Sequence, residues 1–210
     1  MLEKSEASAG TLGHYSRNAE GFREGTWDHD VSQNIEALLD ALAMRTGAAG
    51  QGPFSILDFG CGPGRDLLAL SRLGHEAVGL DGTAEFVRMA REATGCEVLH
   101  QDFTGLDLPS QRFDGIFANA SLFHVPSAEL PRVLGRLRDA LRDGGILFSS
   151  NPRGDDVEGW SGERYGVWHS LEGWRRYLGA AGFVELRHYY RPDGLPREQQ
   201  PWLASVWRKT

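Results

Sequence analysis

Apolar positions along this chain switch between helical spacing and short continuous runs, and the two patterns take turns. Val31, Ile35, Leu38, Leu39 and Leu42 share one helical face and predict an amphipathic helix over roughly Val31 to Met44. Ile56, Leu57 and Phe59 predict a strand, after which Leu67, Leu68, Leu70 and Leu73 return to helical spacing. Glu76 to Leu80 predicts a second strand, and Phe86, Val87 and Met89 a helix with Thr83 as its cap. Cys96 to Leu99 predicts a third strand, Pro109 to Arg112 a turn, and Phe113 to Ala118 a fourth strand. A helix over Leu130 to Leu141 then turns at Asp143-Gly144-Gly145 into a fifth strand, Ile146 to Ser149. This alternation predicts an α/β fold: a parallel sheet with helices on both faces.

The two ends of the chain break the rhythm. Met1 to Gly10 is small and polar and reads as a frayed end, and Gly47 to Pro53 reads as a loop of small residues. Asn151 to His169 reads as a glycine-rich loop, followed by a helix over Leu171 to Ala181. Phe183 to Tyr190 and Pro201 to Arg208 predict two last strands. Only a proline-containing turn joins them, so they are expected to run antiparallel. The expected organisation is an N-terminal helical cap segment over residues 1–50. A core over 51–210 follows, with 151–169 as an active-site loop.

Bulk properties narrow the function. A chain of 210 residues suffices for one domain with a full core. The net charge of -7 argues against a nucleic-acid or anionic-membrane partner. No apolar run approaches the ~20 residues of a membrane span. Cys61 and Cys96 make neither a disulfide framework nor a metal-ligand spacing, so no metal is expected. A reduced cytoplasmic setting, as a monomer or homodimer, is the expectation.

The candidate chemistry starts at the first strand end. Gly60, Gly62 and Gly64 lie two apart between the strand and its helix. Such a turn lets a ligand approach bare backbone, and the free N–H groups of a helix start favour polar or anionic groups. A tight turn for close helix packing would use the same residues. Ligands of open α/β sheets bind at the carboxyl ends of the strands. There Asp81 can accept two ribose hydroxyls, Asp102 can meet an adenine amino group, and Phe103 can flank the ring. Asn119 and Ala120 can line the ligand with their backbone. The spacing is G-x-G-x-G rather than the longer G-x-G-x-x-G of nicotinamide-dependent oxidoreductases, which disfavours that class.

Ile56-Leu-Asp-Phe-Gly-Cys-Gly-Pro-Gly64 resembles the first motif of the class I S-adenosylmethionine methyltransferases. Val78-Gly-Leu-Asp81 resembles their second motif and Gln101-Asp102-Phe103 their adenine-contact motif. The resemblance covers Ser55 to Arg208. It implies a Rossmann-like seven-stranded sheet, mostly parallel, in the order 3-2-1-4-5-7-6 with strand 7 antiparallel. It also implies S-adenosylmethionine as cofactor, held by Gly60, Cys61, Gly62, Gly64, Asp81, Gly82, Gln101, Asp102, Phe103 and Asn119. Asp58 would order the glycine loop, and Tyr15 would reach the methionine carboxylate from an N-terminal helix.

Four further segments resemble the thiohistidine N-methyltransferases of ovothiol synthesis: Gly25 to Asn34, Ser149 to Gly154, Glu158 to Gly166 and His188 to Trp202. That resemblance implies a small amino-acid-like acceptor, 5-thiohistidine, methylated on a ring nitrogen. Methylation of another small acceptor, a carboxylate, phenol or amine, is the alternative. A zwitterion needs a cation for its carboxylate, and Arg153 or Arg164 could supply it. Asn151 could hydrogen-bond the ring or its backbone atoms. Phe123, Trp160, Tyr165, Trp168 and Tyr189 could wall a flat slot, with Trp27 capping it. His124 follows the fourth strand and is the candidate catalytic base or orienting group, or else a partner for loop backbone. Trp174, Trp202 and Trp207 lie on regular elements and are expected in the core.

Overall fold

The computed structural model describes residues 4–46 and 52–210. Most of the expected loop Gly47 to Pro53, and Met1 to Glu3 of the expected frayed end, lie outside the described residues.

Among the described residues nine strands form, seven of them in one sheet. In chain order they are β1 (Ser55–Phe59), β2 (Glu76–Asp81), β3 (Val98–His100), β4 (Phe113–Asn119), β5 (Leu141–Pro152), β6 (Val157–Ser161), β7 (Arg164–Trp168), β8 (Phe183–Arg191) and β9 (Trp202–Lys209). The main sheet runs β3-β2-β1-β4-β5-β9-β8. β1 to β5 pair in parallel, and β9 is antiparallel to both β5 and β8. Sequence strands six and seven are β8 and β9, so the implied seven-stranded order holds.

Asn151 to His169 is not a loop. β6 and β7 pair antiparallel as a separate hairpin, with Trp160 opposite Tyr165. Its glycines hid the alternation of Val157, Tyr165 and Val167 that a strand reading needed.

Seven helices are described: α1 (Lys4–Arg17), α2 (Ala19–Thr26), α3 (Ser32–Thr46), α4 (Arg65–Arg72), α5 (Ala84–Thr94), α6 (Leu130–Ala140) and α7 (Leu171–Ala180). The expected frayed end is instead the first part of α1, from Lys4 onward. Ala7 is buried against Tyr165 and Val167 of the hairpin, so long-range contacts hold a sequence that is weakly amphipathic by itself. Thr83 occupies the N-cap position of α5, but its side chain makes no capping bond.

The core lies on both sheet faces. On one side Phe59, Ile116 and Leu147 meet Leu134 and Leu137 of α6 and Trp174 of α7. On the other, Ile56, Phe117, Phe148 and Val206 meet Ile35, Leu38 and Leu42 of α3. Asp114 is a buried carboxylate at the base of β4, clamped by Arg45 at 2.6 Å, Arg142 at 2.7 Å and the Ser55 N–H at 3.0 Å.

Candidate active site

Parallel strands end together, so their following loops gather at one edge of the sheet. A cavity of about 630 Å³ opens there, within the common range of about 300–1,000 Å³ for small-molecule sites. Its wall runs from Asp102 after β3, past Asp81, Gly60 and Asn119, to Ser150 of β5 and Trp202 at the start of β9. At about 4.8 Å per strand, that is about 24 Å across the sheet. Ser8, Thr11, Leu12 and Tyr15 of α1 and Phe22 of α2 supply further wall.

One half is built around the glycine turn. Gly62 donates its N–H to Asp81 Oδ2 at 3.0 Å, and Thr83 donates its N–H to Oδ1 at 2.8 Å. The Thr83 side chain also bonds the carboxylate, which keeps capacity for a further donor. Burial raises the Asp81 pKa, against the pull of these backbone donors. Asp102 Oδ1 accepts from both the N–H and the hydroxyl of Thr104, each at 2.7 Å, and Ser8 donates to Oδ2. Phe103 lines the cavity and stacks on Phe59 with centroids 4.3 Å apart.

The three glycines differ. A Cβ on Gly62 would meet nothing nearer than Phe22 at 3.8 Å, so the space beside it is open. A Cβ on Gly60 would strike Ser121 at 2.4 Å. Gly64 is absent from the cavity wall, and a Cβ there would meet Ala90 of α5 at 2.9 Å. Gly64 therefore serves close helix packing, the structural alternative for this turn. Gly82 lines the cavity and receives Leu12 of α1. Cys61 also lines it, with its thiol pushed well up by burial and then by Asp58.

Besides Gly64, two expected cofactor residues are off the cavity wall. Asp58 is buried under the turn, where the Leu67 N–H donates to it. Burial, and then the neighbouring Asp66, hold its pKa well above the carboxylate range. Gln101 braces its own loop, donating to the Asp107 carbonyl at 3.0 Å and accepting from the Asp107 N–H at 2.9 Å.

At the other half, Asn119 is tied up by side chains. Its Nδ2 donates to Asp66 Oδ2 at 2.9 Å, and its Oδ1 accepts from Asn34 Nδ2 at 3.0 Å. Asn34 Oδ1 accepts from the Tyr189 hydroxyl at 2.9 Å. Arg65 holds Asp66 with two bonds, at 2.6 and 3.0 Å, and donates to the Thr26 carbonyl at 2.7 Å. This network fastens α2 and α3 to the strand ends.

His124, in a short 3-10 turn after β4, lines the cavity beside Phe123. Its Nδ1 lies 2.7 Å from the Tyr165 carbonyl oxygen, which can only accept. Nδ1 therefore carries the proton. Burial depresses the His124 pKa to about 4, so the ring is neutral at pH 7 and Nε2 is an acceptor. Tyr15 lies 2.8 Å from Nε2 and donates to it. Arg164 donates to the Tyr15 hydroxyl at 3.4 Å.

The cavity thus gathers Tyr15, Gly60, Cys61, Gly62, Asp81, Gly82, Asp102, Phe103, Asn119, Phe123, His124 and Arg164. The remaining candidate acceptor residues are turned elsewhere. Arg153 donates to the Gln200 and Arg197 carbonyls at 2.8 and 2.7 Å. Asn151 is buried on β5, and its neighbour Ser150 takes the cavity side because adjacent strand residues face opposite ways. Trp160 covers Gly10 of α1, and Tyr165 packs against Ala7. Trp168 packs over Gly154 and Gly166, Trp27 lies under Arg23, and Tyr189 is committed to Asn34. Trp174 and Trp207 are core as expected, but Trp202 lines the cavity. Ser8, Thr11, Leu12, Arg65, Asp66 and Arg191 are wall residues that the sequence reading missed. Arg65 and Asp66 follow the glycine turn directly, a signal that was available.

Among the described residues, no cluster of His, Cys, Asp and Glu could hold a metal, and no helix is long and apolar enough to cross a membrane.

Residues 56–145 match the family described as "Methyltransferase domain". Over 105 residues the chain is 35% identical to a trans-aconitate 2-methyltransferase of Azoarcus sp. (strain BH72), covering 49% of this chain and 40% of that protein. Over 143 residues it is 29% identical to a malonyl-[acyl-carrier protein] O-methyltransferase of Xylella fastidiosa (strain M23), covering 65% and 46%. The chain spans about a third to a half of the first curated relatives it matches. Among solved structures, the Burkholderia thailandensis 1,6-didemethyltoxoflavin-N1-methyltransferase, bound to 1,6-didemethyltoxoflavin and S-adenosylhomocysteine, superposes with a TM-score of 0.73. It is 23% identical, and the match covers 100% of this chain and 92% of that one.

The sheet order defines the class of fold as Rossmann-like, and residues 56–145 within it are similar to the methyltransferase domain family.

The residues present fit S-adenosylmethionine, the cofactor that the sequence resemblance implies. Asp81 and Asp102 keep acceptor capacity, and Gly62 leaves open space. Ser121 Oγ, on the cavity wall and 3% exposed, has no hydrogen-bond partner among the described residues.

Proposed function

We propose that this protein transfers a methyl group from S-adenosylmethionine to a small amino-acid-like acceptor, and that the acceptor is 5-thiohistidine, methylated on its ring. The observation that carries the reading is the length of the cavity. It offers nucleoside-type contacts at the β1–β3 ends, and its wall continues along the sheet to Ser150 of β5 and Trp202 of β9, with His29, Asp30 and Arg191 also lining it.

S-adenosylmethionine, when bound, supplies a methyl group on a sulfonium. Asp81 accepts ribose hydroxyls, Asp102 meets the adenine amino group, and Phe103 flanks the ring. The chain's main task is alignment and exclusion of water, because the charge that moves in methyl transfer is dispersed. α1 roofs the cavity and does both.

The narrower reading is supported by where the four resembling segments go. Gly25 to Asn34 brings His29, Asp30 and Val31 to the wall, and Ser149 to Gly154 brings Ser150. Glu158 to Gly166 brings Arg164, and His188 to Trp202 brings Arg191, Pro192 and Trp202. Arg164 has no carboxylate partner among the described residues and is the cation for the acceptor's carboxylate. With Arg153 spent on backbone carbonyls, the choice between the two falls to Arg164.

The relatives named for trans-aconitate and malonyl-[acyl-carrier protein] favour a second reading, an acid acceptor held by the same Arg164. A methyl-transfer assay with labelled S-adenosylmethionine decides. Turnover of 5-thiohistidine above histidine and trans-aconitate is expected, and preference for trans-aconitate would replace the first reading with the second.

A further inference from the structure

Tyr15 and His124 come from elements 109 residues apart in sequence, yet their polar atoms meet at 2.8 Å on the cavity wall. The direction of that bond is settled by the far side of the ring, where Nδ1–H is held by the Tyr165 carbonyl. Thr11 fixes the same peptide from the other side by accepting the Tyr165 N–H at 2.9 Å. The imidazole cannot rotate or exchange tautomers without breaking this brace. Its Nε2 lone pair is covered by the Tyr15 hydroxyl, so an acceptor reaches the phenol before it reaches the imidazole.

We infer that Tyr15 and His124 form a two-residue proton relay, in which Tyr15 touches the acceptor and His124 receives the proton behind it. The inference rests on the methyl-transfer reading and adds a class to it: an acceptor whose reacting group carries an N–H or O–H that must be lost. As the acceptor atom bonds to the methyl carbon, the carbon–sulfur bond of the methyl sulfonium donor breaks and its electron pair stays on sulfur. The acceptor's proton passes to Tyr15 Oη while the Tyr15 proton passes to His124 Nε2. The His124 imidazolium keeps Nδ1–H on the Tyr165 carbonyl. One positive charge is lost at sulfur and one is gained at His124, so the cavity's net charge does not change. A carboxylate acceptor carries no such proton and has no use for the pair.

The groups facing this pair act together. Arg164 on β7 and His14 on α1 both disfavour the imidazolium, and Asp81 disfavours ionisation of Tyr15. Burial raises the Tyr15 phenol above its ordinary value although Arg164 pulls it down, so Tyr15 passes a proton on and does not stand as phenolate. Tyr15→Phe keeps the ring contacts with Phe22 and Phe86 and removes only the hydroxyl.

The test has an arm that needs no acceptor. In the histidine-15N-labelled free protein, NMR should show His124 protonated on Nδ1 alone at pH 7. Tyr15→Phe, which removes a donor to the neutral ring, should raise the His124 pKa. An Nε2–H tautomer, or a His124 titration indifferent to Tyr15→Phe, overturns the relay. In the second arm, 5-thiohistidine, histidine, a phenol and trans-aconitate are offered with labelled S-adenosylmethionine. For any N–H or O–H acceptor that turns over, Tyr15→Phe should lower kcat about 100-fold, with KM for the acceptor little changed. An unchanged kcat overturns the relay, as does turnover of trans-aconitate alone. If nothing is methylated, the acceptor reading fails while the NMR arm still decides the relay.

Discussion

Gly62 donates its backbone N–H to Asp81 Oδ2 at 3.0 Å, and this bond ties the turn after β1 to the end of β2. The carboxylate therefore does two things. It shapes the glycine turn, and it presents its remaining lone pairs to the cavity. Asp81→Ala should weaken S-adenosylhomocysteine binding by roughly 1–3 kcal/mol, the loss of a charged hydrogen-bonding partner. Calorimetric titration reads this directly, and an unchanged affinity would remove Asp81 from the cofactor site.

The glycines of one turn should separate on substitution. At Gly62 the φ of 52° is left-handed and the neighbouring space is open. Gly62→Ala should cost about 1–2 kcal/mol, a fall in Tm of about 2–8 °C, while placing a methyl in the cavity and weakening S-adenosylhomocysteine binding about tenfold. At Gly64 the φ of 99° is compounded by Ala90 at 2.9 Å. Gly64→Ala adds about 1–3 kcal/mol of overpacking, so its Tm should fall further. Melting curves with and without S-adenosylhomocysteine distinguish the two.

Asp58 stands as a buried carboxyl whose Oδ2 has no hydrogen-bond partner among the described residues. Its pKa is well above 3.8, through burial and then the charge of Asp66. Below the unfolded value both states are protonated and Asp58 is neutral to stability. As pH rises from there the unfolded chain gives up its proton first, and stability is lost until the folded group ionises. Asp58→Asn removes that loss. It should raise Tm at pH 7, and the gain should shrink toward pH 4. A gain independent of pH would mean that Asp58 is not the titrating group.

Asp114 has the opposite sign. Burial alone would raise its pKa, but the Ser55 N–H, Arg45 and Arg142 together hold it below 3.8. Its contribution is present above the unfolded pKa and is lost as pH falls through the lower folded value. Asp114→Ala strands two arginines at the base of β4 and should cost about 3 kcal/mol at pH 7. Urea denaturation at pH 7 and pH 3 measures it, and the difference from the parent protein should narrow at the lower pH.

The sheet was legible because its signals are local. Each strand carries its own apolar run, and α4, α5 and α6 separate β1 from β2, β2 from β3 and β4 from β5. The glycine turn, Asp81 and Asp102 were legible for the same reason, since each closes a strand within a few residues. The far end of the cavity, toward β5 and β9, was not. Asn151 is one residue past Ser150, which faces the cavity, and Arg153 lies just beyond β5 with its guanidinium on the Gln200 and Arg197 carbonyls. Strand parity at β5 is set by pairing with Leu203 and Trp202 of β9, some 50 residues on. The first turns of α1 carry little amphipathic signal, and their place is decided by Gly82, Asp102 and the hairpin that receive Leu12, Ser8 and Ala7.

By itself, then, the sequence determined the strand–helix alternation, the glycine turn and the residue types available at the strand ends, because all three depend on neighbours in the chain. The tertiary structure alone decided that Arg164 rather than Arg153 faces the cavity, that Gly64 packs helices, and that Tyr15 donates to His124. Those choices depend on which surfaces meet when β7, α1 and the turn after β4 come together, and no local pattern encodes a contact made across 109 residues.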